Sequence, residues 1–363
     1  MRLEITDFIR AHPDWEALIT GDPYFVRIKR DGRFVMLKYE QFNSNLTIPL
    51  VRECRGIILD EPGGYLPACV PFFKFGNFGE SYIPDIDWAS ARIQEKLDGS
   101  LIKLWHYDGR WRVSSNGEID ARNAKIHSAL LKDKSQVDLY TLFMEAWDKT
   151  GVNFERLDKN YTYMFELTSP HNRVVVRYND TAIRHIGTRD MRTLLECDMD
   201  IGIAKPREFA FNTLEECIES AKNLGYDDEG YVVVDGNYNR VKVKSPIYVA
   251  LNHASQGVTT HSNIVEIIRK NEQGEFLNYF PEFQGVFDEV LDGIELFSNR
   301  QAEALSKIVA MEFVSRKALA EVVTKAPCPA CIFALVDKKA QSPREWLLSR
   351  SADKVIEYIG LDK

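Results

Sequence analysis

The sequence predicts an α+β domain followed by an all-α segment, and three observations carry that expectation. Short β-rich runs separated by Asp-Gly and Pro-Gly turns dominate the first two thirds of the chain. From about residue 262 the strand signals stop. Beyond that point stretches such as RQAEALSKIVAMEFVSRKALAEVV keep helical periodicity without a glycine. The chain has 363 residues, and single cores rarely grow past ~250–300 residues. Two domains are therefore expected, 1–245 and 246–363, with the boundary near Pro246.

Residues 3–19 carry apolar side chains at helical spacing and end at Gly21-Asp22-Pro23. The next run, YFVRIKRDGRFVMLKYE, reads as a hairpin about Asp31-Gly32. CRGIILD and YLPACV read as strands around Pro62-Gly63-Gly64, and EKLDGSLIKLWHY with RWRVSS as a hairpin about Asp108-Gly109. A helix is expected over about 124–149, then three short strands in YTYMFEL, NRVVVRY and AIRHIG. A helix over about 213–224 closes at Gly225, and EGYVVVDGNYNRVKVKS forms the last hairpin.

Apolar residues make up 45% of the chain and charged residues 28%, an ordinary globular balance. No apolar run approaches the ~20 residues that cross a bilayer. MRLEITDFIR mixes acids with its apolar residues and does not read as a signal peptide. A soluble, cytoplasmic protein without a membrane partner is expected. The net charge of −8 argues against a uniformly basic nucleic-acid binder but leaves room for a local basic groove. Cys328 and Cys331 form one CPAC pair with no second pair and no His pattern, a poor zinc site, so structural roles are expected for all six cysteines.

The chemistry concentrates at Glu95-Lys96-Leu97-Asp98-Gly99-Ser100. Alone, K-x-D-G is a weak signal, since Asp-Gly is a common turn and a lysine beside it is commonly solvated. Glu166 lies in the apolar strand MFEL, and Glu229 leads into the apolar strand GYVVV. Lys242 and Lys244 are two apart, so on a strand they share one face while Val241 and Val243 share the other.

In order, Lys96-x-Asp98-Gly99, Phe165-Glu166, Glu229-Gly230 and Lys242-x-Lys244 resemble the motifs of the covalent nucleotidyltransferases: RNA ligases, DNA ligases and capping enzymes. The resemblance is strongest to the RNA ligase 1 type of the T-even phages. It includes ECRGIILD, KFGNFGE, FELTSPHNRVVV, HIGTRD, DEGYVVV and KVKS, about residues 50–250. It implies a nucleotidyltransferase (ATP-grasp-like ligase) domain of antiparallel or mixed sheets enclosing the nucleotide, with a helical domain appended.

The resemblance also implies roles. Lys96 would be the nucleophile that takes AMP from ATP, with Lys242 and Lys244 on the α-phosphate. A lysine attacks phosphorus only as the neutral amine, and desolvation or nearby cations favour that form. Glu229 and Glu166 would serve Mg²⁺ (Mn²⁺ is the alternative) through water, Glu166 alternatively holding the ribose. Arg55 and Lys74 would grip phosphates, and Glu95 and Asn116 would line the nucleotide site. Asn116 departs from the family, which places a basic residue there. Phe75 and the stretch 231–234 are candidates to stack on adenine. Arg173 or Arg177, near His171 and Asn172, would touch RNA or pyrophosphate, or else belong to a polar loop.

The implied reaction joins 5′-phosphate and 3′-hydroxyl RNA ends through lysyl-AMP and adenylated RNA. Nicked tRNA is the implied substrate and an end-healing kinase or phosphatase the implied partner. DNA ligases and capping enzymes pattern the residue after K-x-D-G differently and append a β-rich domain, whereas Ser100 and a helical tail follow here. An RNA-end-binding protein without catalysis is the remaining alternative. In the resembling enzymes the helical domain helps choose the RNA. Residues 246–363 hold 13 Lys+Arg against 16 Asp+Glu, so no broad basic field marks it.

Overall fold

Strand-forming runs resolve into antiparallel ladders in a computed structural model that describes residues 2–41, 43–127, 136–172, 174–225, 227–254, 261–279, 281–311 and 315–361. The chain separates into two compact units, Met1–Glu40 with Ser44–Asn252, and Gln41–Asn43 with His253–Lys363. No described helix is long and apolar enough to cross a membrane.

In the first unit, the helical spacing over 3–19 breaks into α1 (Glu4–Ala11) and α2 (Trp15–Ile19). Pro13 forces the break, because the residue before a proline is driven out of the helical region, and His12 is extended at φ −127°. No side chain caps α1 from its own N-cap, Leu3. The last residue of α3 (Pro49–Glu53) does so from a distance, the Glu53 carboxylate accepting from the amides of Glu4 at 3.0 Å and Ile5 at 2.9 Å. Burial pushes the Glu53 carboxyl up to about 7 against those stabilising amides.

Strands β1 (Val26–Asp31), β2 (Phe34–Tyr39), β3 (Arg55–Asp60) and β4 (Leu66–Cys69) form a sheet in that order. Its first turn is Gly32-Arg33, one residue beyond the expected pair, with Gly32 at φ 56°. Next come β5 (Arg92–Glu95), β6 (Ser100–Tyr107) and β7 (Arg110–Ser115). Asp108 and Gly109, both at positive φ, close β6 on β7 as expected of an Asp-Gly turn.

The expected single strand EKLDGSLIKLWHY divides. β5 belongs to a four-stranded sheet, β13 (Glu208–Phe209)-β5-β14 (Gly230–Val234)-β15 (Arg240–Lys244). β6 belongs to a five-stranded sheet, β12 (Glu196–Cys197)-β11 (Ala182–Asp190)-β10 (Tyr161–Thr168)-β6-β7. Among the described residues the first unit thus has three larger sheets, and every ladder in them is antiparallel.

Two expectations are corrected. The helix expected over 124–149 begins only at Leu139, as α4 (Leu139–Thr150). Before it lie β8 (Lys125–His127) and β9 (Gln136–Asp138), while residues 128–135 fall outside the described residues. Asp138 caps the helix by accepting from the Thr141 amide at 2.8 Å, and Gly151 ends it at φ 70°. The described residues of NRVVVRY form no strand: Val175 and Val176 donate their amides to the Asp98 carboxylate. The helix near 213–224 is α5 (Leu214–Lys222), capped by Thr213 and ending before Gly225.

Helix α6 (Pro246–Ala254) follows β15. The second unit holds α7 (His261–Arg269), α8 (Gln273–Tyr279), α9 (Gln284–Val309), α10 (Arg316–Val323), α11 (Pro329–Val336), α12 (Pro343–Leu348) and α13 (Ala352–Ile359). The long periodic run after 300 breaks between α9 and α10, where Ser315 caps the new helix. Phe297 of α9 stacks on Trp346 of α12 at 6.1 Å. Cys328 and Cys331 are buried at and just inside the start of α11, with free thiols.

Replacing Glu53 by alanine strips one buried and one part-buried amide of their acceptor. Stability in denaturant titration is expected to fall by about 1–3 kcal/mol, the usual cost of unsatisfied buried donors. A loss below the error of the titration would show that α1 does not depend on this carboxylate.

Candidate active site

Lys96 to Gly99 is the strip where the chain leaves one sheet for another, and its conformation is held by backbone and buried polar contacts. The Lys96 amide donates to Gly230 O at 2.9 Å, extending the β5–β14 ladder by one rung. Asp98 is buried, at 4% exposure. Its Oδ2 accepts from the Val175 and Val176 amides, each at 2.8 Å, and its Oδ1 from the Tyr248 hydroxyl at 2.9 Å. The Asp98 amide donates to the Tyr178 hydroxyl at 3.0 Å. At Gly99 an added Cβ would stand 2.4 Å from Leu167 O, so only glycine lets the strip lie against β10. Gly230, at φ 140°, would put a Cβ 2.2 Å from Val243 O.

That strip borders a cavity of about 370 Å³, whose lining includes Arg55, Phe75, Lys96, Asn116, Glu166, Arg240 and Lys242. Glu95, the last residue of β5, also lines it. Lys96 Nζ lies 2.5 Å from Glu229 Oε2. That oxygen has no partner of hydrogen-bonding geometry, so the contact is an ion pair. Burial raises Glu229 above the ordinary carboxylate range, with Asp98 adding to it and Lys96 and Lys244 opposing. Glu166 is part-exposed on the cavity wall yet enclosed enough that desolvation lifts its carboxyl to about 7, Lys96 opposing and Glu229 reinforcing the shift.

The cations converge from three directions. Val241 and Val243 are buried while Lys242 and Lys244 are part-exposed on the opposite face of β15. Desolvation first, then Lys74, Lys96, Lys244 and Arg55, hold the Lys242 ammonium well below its ordinary value. Lys242 Nζ lies 4.8 Å from the centroid of Phe75, and Arg55 5.7 Å from the same ring. Arg55 Nη1 and Asn116 Oδ1 are buried without hydrogen-bond partners.

Three candidates lie outside the lining of this cavity: Glu229 behind Lys96, Lys244 near Tyr248, and Lys74, whose Nζ is 5.5 Å from the Tyr39 ring. Burial favours the neutral Tyr39 phenol, yet Lys74 and Arg55 together hold it below its usual value. Of the stretch 231–234, Val232 alone reaches the lining. Asn172 donates to the Ser100 hydroxyl at 2.8 Å, Arg177 is exposed, and Arg173 lies outside the described residues.

Sequence reasoning missed Arg240, which lines the cavity 4.3 Å from the Phe72 centroid and pairs with Glu196 at 2.7 Å. The signal was present, because Arg240, Lys242 and Lys244 occupy alternate positions of one strand and so share a face. Lys103 was missed as well. Fully buried, it donates to Gly56 O at 2.5 Å, and desolvation pushes its ammonium down to about 8. β6 is buried from Leu101 to Trp105, and its sequence gives no sign that a lysine is enclosed among them.

Two carboxylates held above their ordinary range beside a cationic cavity have the character of a divalent-cation site. Mg²⁺ keeps several waters and takes one or two carboxylates with substrate phosphates. Among the described residues no three His, Cys, Asp or Glu side chains group to hold a metal. Glu166 and Glu229 therefore fit an ion shared with phosphate and water better than a closed cage.

Glu166 also gives a pH test of the electrostatics. Its folded value, about 7, lies above 4.5, so the folded state holds this proton more tightly than the unfolded chain. Its contribution to stability is present below pH 4.5 and is lost as pH rises through 7. Relative to the parent, Glu166→Gln should gain melting temperature progressively between pH 5 and 8, by calorimetry. A constant difference across that range contradicts the raised value.

The RNA ligase family model matches residues 53–248, more than half of the chain. A protein of Autographa californica nuclear polyhedrosis virus, named as a bifunctional polynucleotide kinase/RNA ligase, is 29% identical over 77% of this chain and 42% of its own length. An RNA ligase of Rhodothermus phage RM378 is 27% identical over 62% of this chain and 65% of its own. The chain thus spans less than two thirds of each of these relatives. Among solved structures, an archaeal ATP-dependent RNA ligase is 14% identical, covers 88% of each chain and has a TM-score of 0.46. A mutant Naegleria gruberi RNA ligase with ATP and Mn covers 45% of this chain and 51% of its own, at 11% identity and a TM-score of 0.31. Structural likeness at that level adds no weight. The family match does, and it runs from just ahead of Arg55 past Lys96, Glu166 and Glu229 to Lys244 and Tyr248: this chain belongs to the RNA ligase family.

Proposed function

We propose that the chain is an ATP-dependent RNA ligase that forms a lysyl-adenylate on Lys96, transfers AMP to an RNA 5′-phosphate and seals it to a 3′-hydroxyl with release of AMP. The observation that carries this reading is the placement of Lys96. Its ammonium is paired with buried Glu229 and borders a cavity that Lys242, Arg55 and Arg240 also line.

In the first step the Lys96 ammonium gives up its proton to water and the neutral amine attacks the α-phosphorus of ATP; the N–P bond forms and the bond to pyrophosphate breaks. Such transfers depend on positioning and charge stabilisation more than on covalent help from the protein. Lys242 and Lys244 meet the α-phosphate oxygens, and Arg55 and Lys74 the departing pyrophosphate. Phe75 packs against adenine or ribose, and Asn116 supplies a hydrogen bond where a charge is absent. Mg²⁺ or Mn²⁺, held by Glu166 and Glu229 through water, would neutralise phosphate charge.

The same proposal assigns adenylyl transfer to residues 1–245 and the choice of RNA ends, nicked tRNA among them, to the helical residues 246–363. The viral relative's name joins a kinase to a ligase. An end-healing kinase or phosphatase is accordingly proposed to supply the termini, in the cytoplasm.

Incubation with α-labelled ATP and Mg²⁺ should leave a label that maps to Lys96, is discharged by pyrophosphate and is absent from Lys96→Ala. Lys242→Met should slow labelling about 10²-fold or more, as loss of a charge-stabilising donor does. A label on Lys96→Ala refutes the nucleophile, and a label with GTP alone points to capping chemistry. No label with either nucleotide leaves an RNA-end-binding protein. Separately, deleting residues beyond 252 should preserve labelling and weaken selection among 5′-phosphorylated RNAs in competition assays. Unchanged selection removes the specificity role of the helical unit.

A further inference from the structure

The larger cavity of the first unit is not the one beside Lys96. It measures about 460 Å³ and lies around β7, the outer strand of the five-stranded sheet, beside the β1–β2 turn. Four arginines line it, Arg33, Arg110, Arg112 and Arg122, with Asp31 and Asp120 as the lining acids. In a chain of net charge −8, four guanidinium groups around one hollow are a local reversal of sign.

The four are not equivalent. Arg33 is held by Asp60 through bonds of 2.6 and 2.9 Å, and Arg122 by Asp120 at 3.0 Å while lying 3.8 Å from the Tyr140 centroid. Among the described residues no carboxylate pairs with Arg110 or Arg112. Arg112 is half-buried, its guanidinium 4.9 Å from the Phe34 centroid and 5.7 Å from that of Trp105, and its Nε is buried without a hydrogen-bond partner. A guanidinium nitrogen kept from water with ring faces beside it and no acceptor is costly unless an anion completes the group.

The rest of the wall is aromatic and apolar. Phe34, Trp111, Tyr140 and Phe154 contribute, with Trp111 and Phe154 stacked at 6.3 Å. Trp111 Nε1, a donor that cannot accept, is buried with no partner. Guanidinium groups next to aromatic rings suit a ligand that alternates phosphate with flat bases, which is the make-up of single-stranded nucleic acid. An acidic peptide would answer the arginines but leave the aromatic wall without a counterpart.

We propose that this cavity is a second RNA-contacting site, in which Arg110 and Arg112 take phosphates of a single-stranded segment and the Trp111–Phe154 wall takes a base. The inference rests on the RNA reading of the chain and adds a subsite apart from the residues assigned to adenylyl transfer. It places part of the strand across the β7 edge, so that affinity for RNA is not supplied by the Lys96 cavity alone.

The test compares the 363-residue chain with Arg110→Ala, Arg112→Met and their double variant. Anisotropy of a labelled, 5′-phosphorylated single-stranded RNA is read without ATP, so a failure of the Lys96 reading shows separately, in the labelling assay. The double variant should bind about tenfold or more weakly, with the slope of log affinity on log salt reduced by about 1.4, about 0.7 for each phosphate that is no longer neutralised. Self-adenylation with ATP should be unchanged. Arg110 is exposed, so Arg110→Ala reports even if loss of Arg112 disturbs folding, and it should account for about half of the slope change. RNA affinity and salt slope that stay at the parent's values in Arg110→Ala and in the double variant overturn the proposal. Binding of an oligoglutamate peptide that the double variant loses, with RNA affinity intact, also overturns it, in favour of a protein partner.

Discussion

The Asp98 carboxylate is the interaction on which the site depends. Its two oxygens collect three donors, two amides from the 174–178 segment and the Tyr248 hydroxyl, and its own amide is tied to Tyr178. The sheets on either side of Lys96 share no ladder, so nothing in their strand pairing sets the angle between β5 and β6. Asp98 does that work from the middle of the connecting strip. Since Leu97 alone separates it from Lys96, the direction in which the lysine leaves the backbone follows from where Asp98 is fastened. Gly99 completes the arrangement, because any larger residue would push the strip off Leu167.

Around that strip the electrostatics are left open. Glu166 and Glu229 are held above the ordinary carboxylate range, and Lys242 well below the ordinary ammonium range. A stability-optimised interior would pair such groups fully or replace them with apolar side chains. Here one tight pair, Lys96 with Glu229, stands beside cations that crowd one another and an arginine nitrogen with no partner. A polyphosphate with its metal ion is the type of ligand that relieves both kinds of strain at once. The same logic, on a smaller scale, separates Arg112 from the other arginines of the β7 cavity.

How much of this could be read in the sequence follows from the kind of interaction involved. The hairpin closed by Asp108-Gly109, and the division of β15 into a lysine face and a valine face, depend on nearest neighbours and were legible. NRVVVRY has the composition of a strand, yet a carboxylate nearly eighty positions earlier takes its amides, and no local pattern signals that competitor. The spacing over 124–149 reads as one helix, whereas the helix starts at Leu139 behind its Asp138 cap, and apolar spacing does not mark that start. The candidate site was legible where it follows motif order, and Arg55, Glu95, Lys96, Asn116, Glu166 and Lys242 do border one cavity. Arg240 was legible in principle from its place on the Lys242 face. Lys103 was not, since its inward turn depends on the carbonyl of Gly56 across a sheet boundary.

The depressed Lys242 ammonium has a consequence for reagents as well as for phosphate. Acylating and aldehyde reagents select the unprotonated amine, and ordinary surface lysines offer very little of it near neutrality. Lys242 offers more, on the wall of a cavity wide enough to admit a small electrophile, while Lys103 is sealed from solvent. Lys242 thus combines an amine of lowered basicity with a place on the cavity wall.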